Sequence, residues 1–195
     1  MKKERLCKII KNTFIPYLNR EVVYFNQYSL KRCFTPYGEE TIADCGCGPC
    51  ACAGVISTLT GKKISPKALA DRAVAAHKYK SGCGTYHNFI PMILEEYGLT
   101  CVSVLADVDK MAELISPGEA MAIVLVKKGR FCNCNHFVSV GINKKAKPGS
   151  EKLLKVYNSV NVLDCYRSFT KQELSENLVN KTDGLGPIWV AVKKA

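Results

Sequence analysis

Residues 136–158 read HFVSVGINKKAKPGSEKLLKVYN, and this stretch decides how the remainder of the chain is interpreted. Two β-rich runs, His136–Asn143 and Leu153–Asn158, lie on either side of Pro148-Gly149, a dipeptide that is typical of turns. Two strands joined by so short a connection pair as an antiparallel hairpin. We therefore predict a hairpin centred near residue 147, which sets the register between the two strands.

In that register His136 lies opposite Asn158, at the Cβ separation of about 4.5–5.5 Å that allows a hydrogen bond. Because side chains alternate between the two faces of a strand, both residues share a face with Val138, Val140 and Val156. A buried amide beside an imidazole holds the tautomer and the orientation of the ring. The hairpin thus predicts a histidine and the amide that positions it, on the apolar face of a sheet.

Outward from the hairpin, helices are predicted mainly before residue 98 and strands mainly after it, which is the pattern of an α+β fold. The predicted helices are a first run through Leu6, Ile9, Ile10 and Phe14, then Pro49–Leu59, Pro66 to about Tyr79, Asn88–Tyr97, Val108–Ile115 and Lys171–Val179. The other predicted strands are Val22–Phe25, Cys101–Leu105, Ala120–Val126 and Pro187–Val192.

The apolar helix predicted over Pro49–Leu59 is the best candidate to cover the face of the sheet that carries His136. Cys47 immediately precedes it, where unpaired N–H groups and the helix dipole lower the pKa of a thiol from about 8.5. A thiolate, a histidine and an amide make a nucleophile, a base and an orienting group. The backbone N–H of Cys47 and the side chain of Gln27 could donate to the oxyanion formed by attack on a carbonyl.

Several motifs, taken in chain order, resemble the C39-like cysteine peptidases, a papain-like family that includes the bacteriocin-leader-processing domains: Gln27, Cys47-Gly48-Pro49, His136 to Gly141 and Tyr157-Asn158. The resemblance runs from about Tyr24 to Asn158. It implies a papain-like α+β fold with N-terminal helices packed on a C-terminal antiparallel sheet. It also implies a peptidase that needs no cofactor or metal and acts on a peptide or protein. The implied roles are nucleophile for Cys47, base for His136, orienting residue for Asn158 and oxyanion donor for Gln27.

The chain departs from the family pattern at two places near these residues. Asn158-Ser159 stands where the family often has Asp-Pro, although asparagine still orients a histidine in papain-like enzymes. Cys50 and Cys52 replace the residues that commonly follow Cys-Gly-Pro. We expect no transporter domain after this one, so the resemblance does not imply cleavage of double-glycine leaders.

Length and composition indicate one globular domain. The chain has 195 residues, of which 47% are hydrophobic and 23% charged. We expect a single domain over residues 1–195, in which 1–20 form an N-terminal extension helix and the core begins at about residue 21. No apolar run is long enough for a transmembrane helix, and the start lacks the apolar stretch of a signal peptide. These features predict a cytoplasmic protein with no integral membrane segment.

The net charge of +11 is concentrated in two segments. Residues 1–20 carry six Lys or Arg against one Glu, and residues 127–155 carry eight against one Glu. Basic surfaces of this kind attract nucleic acid, anionic membranes or acidic substrates. Nucleic acid is not expected as a partner, because no aromatic-basic interleaving accompanies the charge. The basic loop before His136 instead suggests a preference for acidic substrates, and the oligomeric state is not predicted.

The 11 cysteines leave three alternatives open. Cys45, Cys47, Cys50 and Cys52, with Cys132, Cys134 and His136, supply ligand types that zinc or an iron–sulfur cluster accepts, although the C-x-C spacing is not that of a zinc knuckle. A redox switch among the neighbours of Cys47 is the second alternative. The third is a catalytically inactive member of the fold that binds peptides.

Overall fold

The computed structural model describes residues 22–180 and 185–194. The N-terminal helix predicted over residues 1–20 lies outside the described residues. The helices are α1 (Leu30–Cys33), α2 (Ile42–Cys45), α3 (Cys47–Thr60), α4 (Pro66–Ala75), α5 (Phe89–Glu96), α6 (Val108–Ile115), a 3₁₀ helix (Val162–Tyr166) and α7 (Lys171–Ser175). The strands are β1 (Pro36–Tyr37), β2 (Glu40–Thr41), β3 (Tyr79–Lys80), β4 (Gly84–Thr85), β5 (Leu99–Leu105), β6 (Ala120–Val126), β7 (His136–Ile142), β8 (Leu154–Tyr157) and β9 (Ile188–Lys193).

An antiparallel five-stranded sheet in the order β5-β9-β6-β7-β8 forms the centre of the molecule. Its central strand β6 reads AMAIVLV and is buried along its whole length. A continuous apolar run is what a strand needs when both faces of its sheet are covered. Strands after residue 98 and helices on both faces confirm the predicted α+β class.

Helix α3 packs against one face of the sheet. Eleven of its 14 residues are buried, because its small apolar residues let it approach its neighbours on nearly every side. Its apolar residues share a core with sheet residues that include Ile123, Phe137 and Trp189. The helix begins at Cys47, two positions before the predicted start, and Pro49 lies in its first turn. It ends at Thr60, followed by Gly61 in the left-handed conformation that favours glycine (φ 72°).

Helices α6 and α7 cover the opposite face. Val108, Met111 and Ile115 are the buried residues of α6, at the spacing of one helix face, and they pack on sheet residues that include Val138 and Val140. The bounds of α6 agree with the predicted helix at both ends. Asp107 caps its N-terminus by accepting a hydrogen bond from the backbone N–H of Lys110 at 2.8 Å.

Several element boundaries differ from the prediction because tertiary contacts redirect the chain. The predicted strand Val22–Phe25 is an extended segment without a strand partner among the described residues, held by Val23 N–H donating to Thr58 Oγ1 at 2.9 Å. The helix after Pro66 ends at Ala75, because Tyr79 pairs with Thr85 in a small second sheet.

Two further differences concern α7 and the neighbouring hairpin. Helix α7 stops at Ser175, and the chain beyond it follows the end of β6, where the N–H of Lys127 donates to the carbonyl of Asn177 at 2.8 Å. The predicted hairpin register is also wrong: the observed pairs, such as Ser139 with Tyr157 and Ile142 with Leu154, are centred on residue 148. Each strand keeps its faces, because the shift preserves the alternation. Asn158 is therefore a diagonal neighbour of His136 on the predicted face.

The prediction that α3 covers the face with His136 is also wrong. Phe137 belongs to the core beneath α3, and Ser139 Oγ donates to the carbonyl of Ala51 at 3.3 Å. His136 alternates with these residues and shares its face with Val138 and Val140, which lie in the core beneath α6. Because the side chains of α3 fill the Phe137 face, Cys47 meets the strand near its beginning rather than above the imidazole.

Candidate active site

His136 and Asn158 form the central contact of the site. His136 Nε2 lies 3.0 Å from Asn158 Oδ1, and the two residues are 2% and 0% exposed. The diagonal separation between neighbouring strands is about 7–8 Å, which two long polar side chains can span. The predicted pairing is therefore present in the structure, in spite of the shifted register.

The other contacts of Asn158 settle which way its amide points. Its Nδ2 group donates to the carbonyl of Phe131 at 2.9 Å and to Asp164 Oδ2 at 2.8 Å. Because both acceptors are oxygens, the nitrogen faces them and Oδ1 faces the imidazole. An oxygen only accepts, so Nε2 of His136 carries the proton and Nδ1 is the basic nitrogen of the neutral ring.

Asp164 extends this network into the interior, and the sequence analysis missed it. The residue is 0% exposed and also accepts from Asn161 Nδ2 at 3.1 Å and from Arg130 at 3.1 Å. Arg130 supplies the counter-charge that a buried carboxylate needs. A carboxylate within the largely apolar stretch Val162 to Tyr166 was the available signal, since a charge there must be paired.

Cys47 is the first residue of α3 and remains partly exposed. The glycines on either side allow close packing there: a Cβ on Gly46 would lie 2.5 Å from the carbonyl oxygen of Ile42, and one on Gly48 would lie 2.6 Å from Thr85 Oγ1. The backbone N–H groups of Phe137 and Gly48 point toward its thiol and favour the thiolate form by hydrogen bonding. The sulfur thus faces the backbone of the residue that follows His136.

The charge states of this pair differ from the expectation of a low thiol pKa. Burial raises the pKa of Cys47 to about 11, although the backbone N–H groups of Phe137 and Gly48 oppose the rise. Burial lowers the pKa of His136 to about 4, against the raising effects of the Asn158 hydrogen bond and of Asp164. Near neutral pH both the thiol of Cys47 and the imidazole of His136 are therefore uncharged at rest.

Burial also raises the pKa of other thiols, so a raised pKa does not distinguish Cys47 from them. Burial raises the pKa of Cys50 to about 12 and that of Cys52 well above its usual value. The pKa of Cys134 is raised to about 11 by burial and by its neighbour Cys132, whose sulfur lies 3.5 Å away. Cys50 and Cys52 pack in the core, as small apolar residues do.

Gln27 lies between the segments that carry Cys47 and Asn158. It is 3% exposed, and its Nε2 group donates to the carbonyl of Ala43 in α2 at 3.1 Å. Ser159 Oγ donates to its Oε1 at 3.1 Å, and the backbone N–H of Gln27 donates to the carbonyl of Ser159 at 2.8 Å. An amide nitrogen has two protons, so one remains beyond the bond to Ala43.

His87 is a further residue beside the site. Its ring lies 6.1 Å from the rings of both Phe137 and Trp189, in the loop that follows Thr85.

For the alternative metal centre, no group of three or more His, Cys, Asp or Glu side chains within 22–180 and 185–194 is arranged to hold a metal ion. In the same ranges, no helix is both long and apolar enough to cross a membrane.

Neither protein-family models nor curated protein sequences give a match. A crystal structure of a Bacillus anthracis protein, provisionally described as a C39-like peptidase, superposes with a TM-score of 0.59 at 10% identity, over 89% of this chain and 95% of that chain. A variant of the Salmonella effector SpvD gives a TM-score of 0.41 at 10% identity, over 100% and 92% of the two chains.

The first similarity confirms the predicted fold, an α+β fold of the papain-like kind with helices packed on an antiparallel sheet. At 10% identity it is a likeness of fold alone. Fold and chemistry are separable, so the activity has to be argued from the side chains of the site.

Proposed function

We propose that this protein is a thiol hydrolase, most simply a cysteine peptidase, that cleaves a peptide or isopeptide amide. The observation that carries the proposal is the buried 3.0 Å contact between His136 Nε2 and Asn158 Oδ1, together with the position of the Cys47 thiol against the backbone N–H of Phe137, the residue after His136. Cys47 is the nucleophile, His136 the base and Asn158 the residue that orients the imidazole. Gln27 Nε2 and the backbone N–H of Cys47 donate to the oxyanion.

The reaction begins when Sγ of Cys47 attacks the amide carbon and its proton passes to His136 Nδ1. Because burial keeps both groups neutral at rest, the proton moves during the attack rather than before it. The carbon–nitrogen bond then breaks, and His136 returns the proton to the leaving amine. Water hydrolyses the thioester with His136 again as base, which releases the carboxylic acid and restores the thiol.

The first test traps the acyl-enzyme without knowledge of the natural substrate. Incubation with p-nitrophenyl acetate should release a burst of p-nitrophenol and leave an acetyl group on Cys47, located by peptide mass spectrometry. Cys47→Ala should abolish the burst, and His136→Ala should slow it about 10²–10⁴-fold. Cys134→Ala is the matched control, because that thiol also has a pKa of about 11.

The variant Cys134→Ala should retain the burst within about twofold of the parent. Equal acetylation of several cysteines, or a rate that His136→Ala leaves unchanged, would exclude a thiol–imidazole pair. Loss of unfolding cooperativity in a variant would be seen by circular dichroism and separates misfolding from lost chemistry. A peptide library analysed by mass spectrometry then identifies which amide bonds are cleaved.

A further inference from the structure

A cavity of about 670 Å³ lies at the end of α3 that is far from Cys47. Thr58 and Leu59, in the last turn of the helix, form part of its wall. At about 1.5 Å of rise per residue, the length of α3 separates this wall from the thiol by roughly 17–20 Å. This wall is therefore remote from the thiol, while Tyr157 and Cys165, which adjoin Asn158 and Asp164 in the chain, line another part of the cavity. The volume of the cavity is that of a typical small-molecule site.

The lining of the cavity is basic within the described part of the chain. Lys145 and Lys155 are among its lining residues, and none of the described lining residues is Asp or Glu. The remaining wall combines apolar side chains, such as Leu59 and Met121, with hydroxyl-bearing ones, such as Tyr166 and Ser168. A concave site with converging cations and no acidic group attracts anions.

Lys155 is the least exposed of the lysines that line the cavity. It is half-buried, and its Nζ donates to the carbonyls of Tyr166 and Arg167 at 3.3 and 3.0 Å. These carbonyls satisfy two of its three protons but do not neutralise its charge. No carboxylate of the described residues forms an ion pair with it. Burial lowers its pKa and so does the nearby Lys145, and the opposing effect of the Cys165 thiol does not cancel the decrease.

We propose that this cavity binds a small organic phosphate that carries at least two negative charges. Lysine ammonium groups bind phosphate as point charges, and Lys155 has a third proton available for a phosphate oxygen. Lys145 supplies the second charge, at the distance over which it already acts on Lys155. The apolar wall gives an organic group a surface on which to pack, as ligand sites of this volume do.

The test measures binding by isothermal titration calorimetry at constant ionic strength, with tripolyphosphate, ADP and adenosine as probes. Tripolyphosphate and ADP should bind, and adenosine should not. The double variant Lys145→Met/Lys155→Met should weaken binding of both anions at least about 100-fold, since each charge-assisted contact is worth about a factor of ten or more. All measurements can be made in the Cys47→Ala background, so they are independent of hydrolase activity.

The matched control is Lys147→Met/Lys152→Met, which removes the same charge from the same hairpin. Both lysines are exposed and neither lines the cavity, so affinity should change less than about threefold. Equal weakening by the two double variants would overturn the proposal, because it would reduce binding to a general attraction toward the net charge of +11. Absence of binding by both anions would overturn it too, and tripolyphosphate binding without ADP binding would overturn its organic part.

A thermal measurement without ligand checks the premise about Lys155. Lys155→Met keeps an unbranched apolar side chain that is one atom shorter and removes the unpaired charge, so the Tm should stay equal or rise. A clearly lower Tm would show that the ammonium group is needed by the carbonyls of Tyr166 and Arg167. That result would overturn the inference that its charge awaits a ligand.

Discussion

Two charged groups at the same 3₁₀ helix region, Asp164 and Lys155, differ in their partners. The buried carboxylate of Asp164 accepts hydrogen bonds from Asn158, Asn161 and Arg130. The half-buried ammonium of Lys155 contacts the carbonyls of Tyr166 and Arg167, a few residues further along the chain, and lacks an acidic partner among the described residues. The first charge is neutralised within the chain, and the second is the one for which we propose an external anion.

The difference in pairing indicates a different role for each of the two charged groups. A complete network of buried polar groups holds one geometry, because every alternative leaves a donor or an acceptor unpaired. Such a network suits a histidine whose tautomer has to be fixed. A network with an unneutralised charge attracts a ligand of the opposite charge, which suits a binding site.

The largest expected effect is on stability and tests the comparison directly. Asp164→Ala removes the carboxylate from this network, takes one of the two acceptors of Asn158 Nδ2 and leaves Arg130 without its ion-pair partner, so the free energy of unfolding should fall by about 3 kcal/mol. Lys155→Met, at the open network, should not lower it. Urea denaturation of both variants measures the two changes. Equal destabilisation would show that the two charges serve the fold alike.

The next effect concerns the rate of the proposed hydrolysis. Gln27→Ala removes a donor to the oxyanion, which should lower kcat/KM for a cleaved peptide about 10²–10³-fold. Lys155→Met should leave that rate within about twofold, because the hydrogen bonds of Lys155 go to the carbonyls of Tyr166 and Arg167 and to none of the residues proposed for catalysis. Gln27→Glu keeps the acceptor for Ser159 but replaces the NH₂ group, and a rate close to that of the parent would contradict a role as donor.

The sequence predicts best those features that depend on local pattern. Helix α6 repeats Val108, Met111 and Ile115 at helical spacing, and the apolar run of β6 needs no knowledge of its partners. The pairing of His136 with Asn158 could be predicted despite the wrong register, because face alternation survives a shift that is even in total. Whether the two side chains share a face depends only on the alternation along each strand, which can be read from the sequence.

Features that depend on packing between distant segments could not be predicted. The face on which α3 packs depends on how the whole sheet is covered, and the hairpin alone carries no such information. The contact of Asp164 with Asn158 depends on the path of the chain after β8, which a 3₁₀ helix turns back toward the site. The prediction that the pKa of Cys47 is lowered is wrong, because the effect of burial outweighs that of the backbone N–H groups at the start of the helix.

A smaller effect follows from the buried histidine. The unfolded chain takes up a proton at His136 near pH 6.5, whereas the folded protein does so only near its lowered pKa of about 4. Stability due to this residue is therefore present above pH 6.5 and is lost as the pH falls toward 4. Between pH 6 and pH 5 the loss should be about 1 kcal/mol larger than in His136→Gln, measured by urea denaturation. Identical slopes for the two proteins would indicate a solvated imidazole.

The smallest effect concerns the basic loop between β6 and β7. If Lys127 and Lys128 attract acidic peptides toward Cys47, Lys127→Gln/Lys128→Gln should reduce the ratio of kcat/KM for acidic over neutral peptides about two- to fivefold. The reduction should vanish at about 0.5 M salt, where exposed charges are screened. Lys147→Gln/Lys152→Gln removes equal charge from the connection between β7 and β8 and should leave the ratio unchanged. The same reduction in both double variants would mean that net charge, rather than the loop before β7, sets the preference.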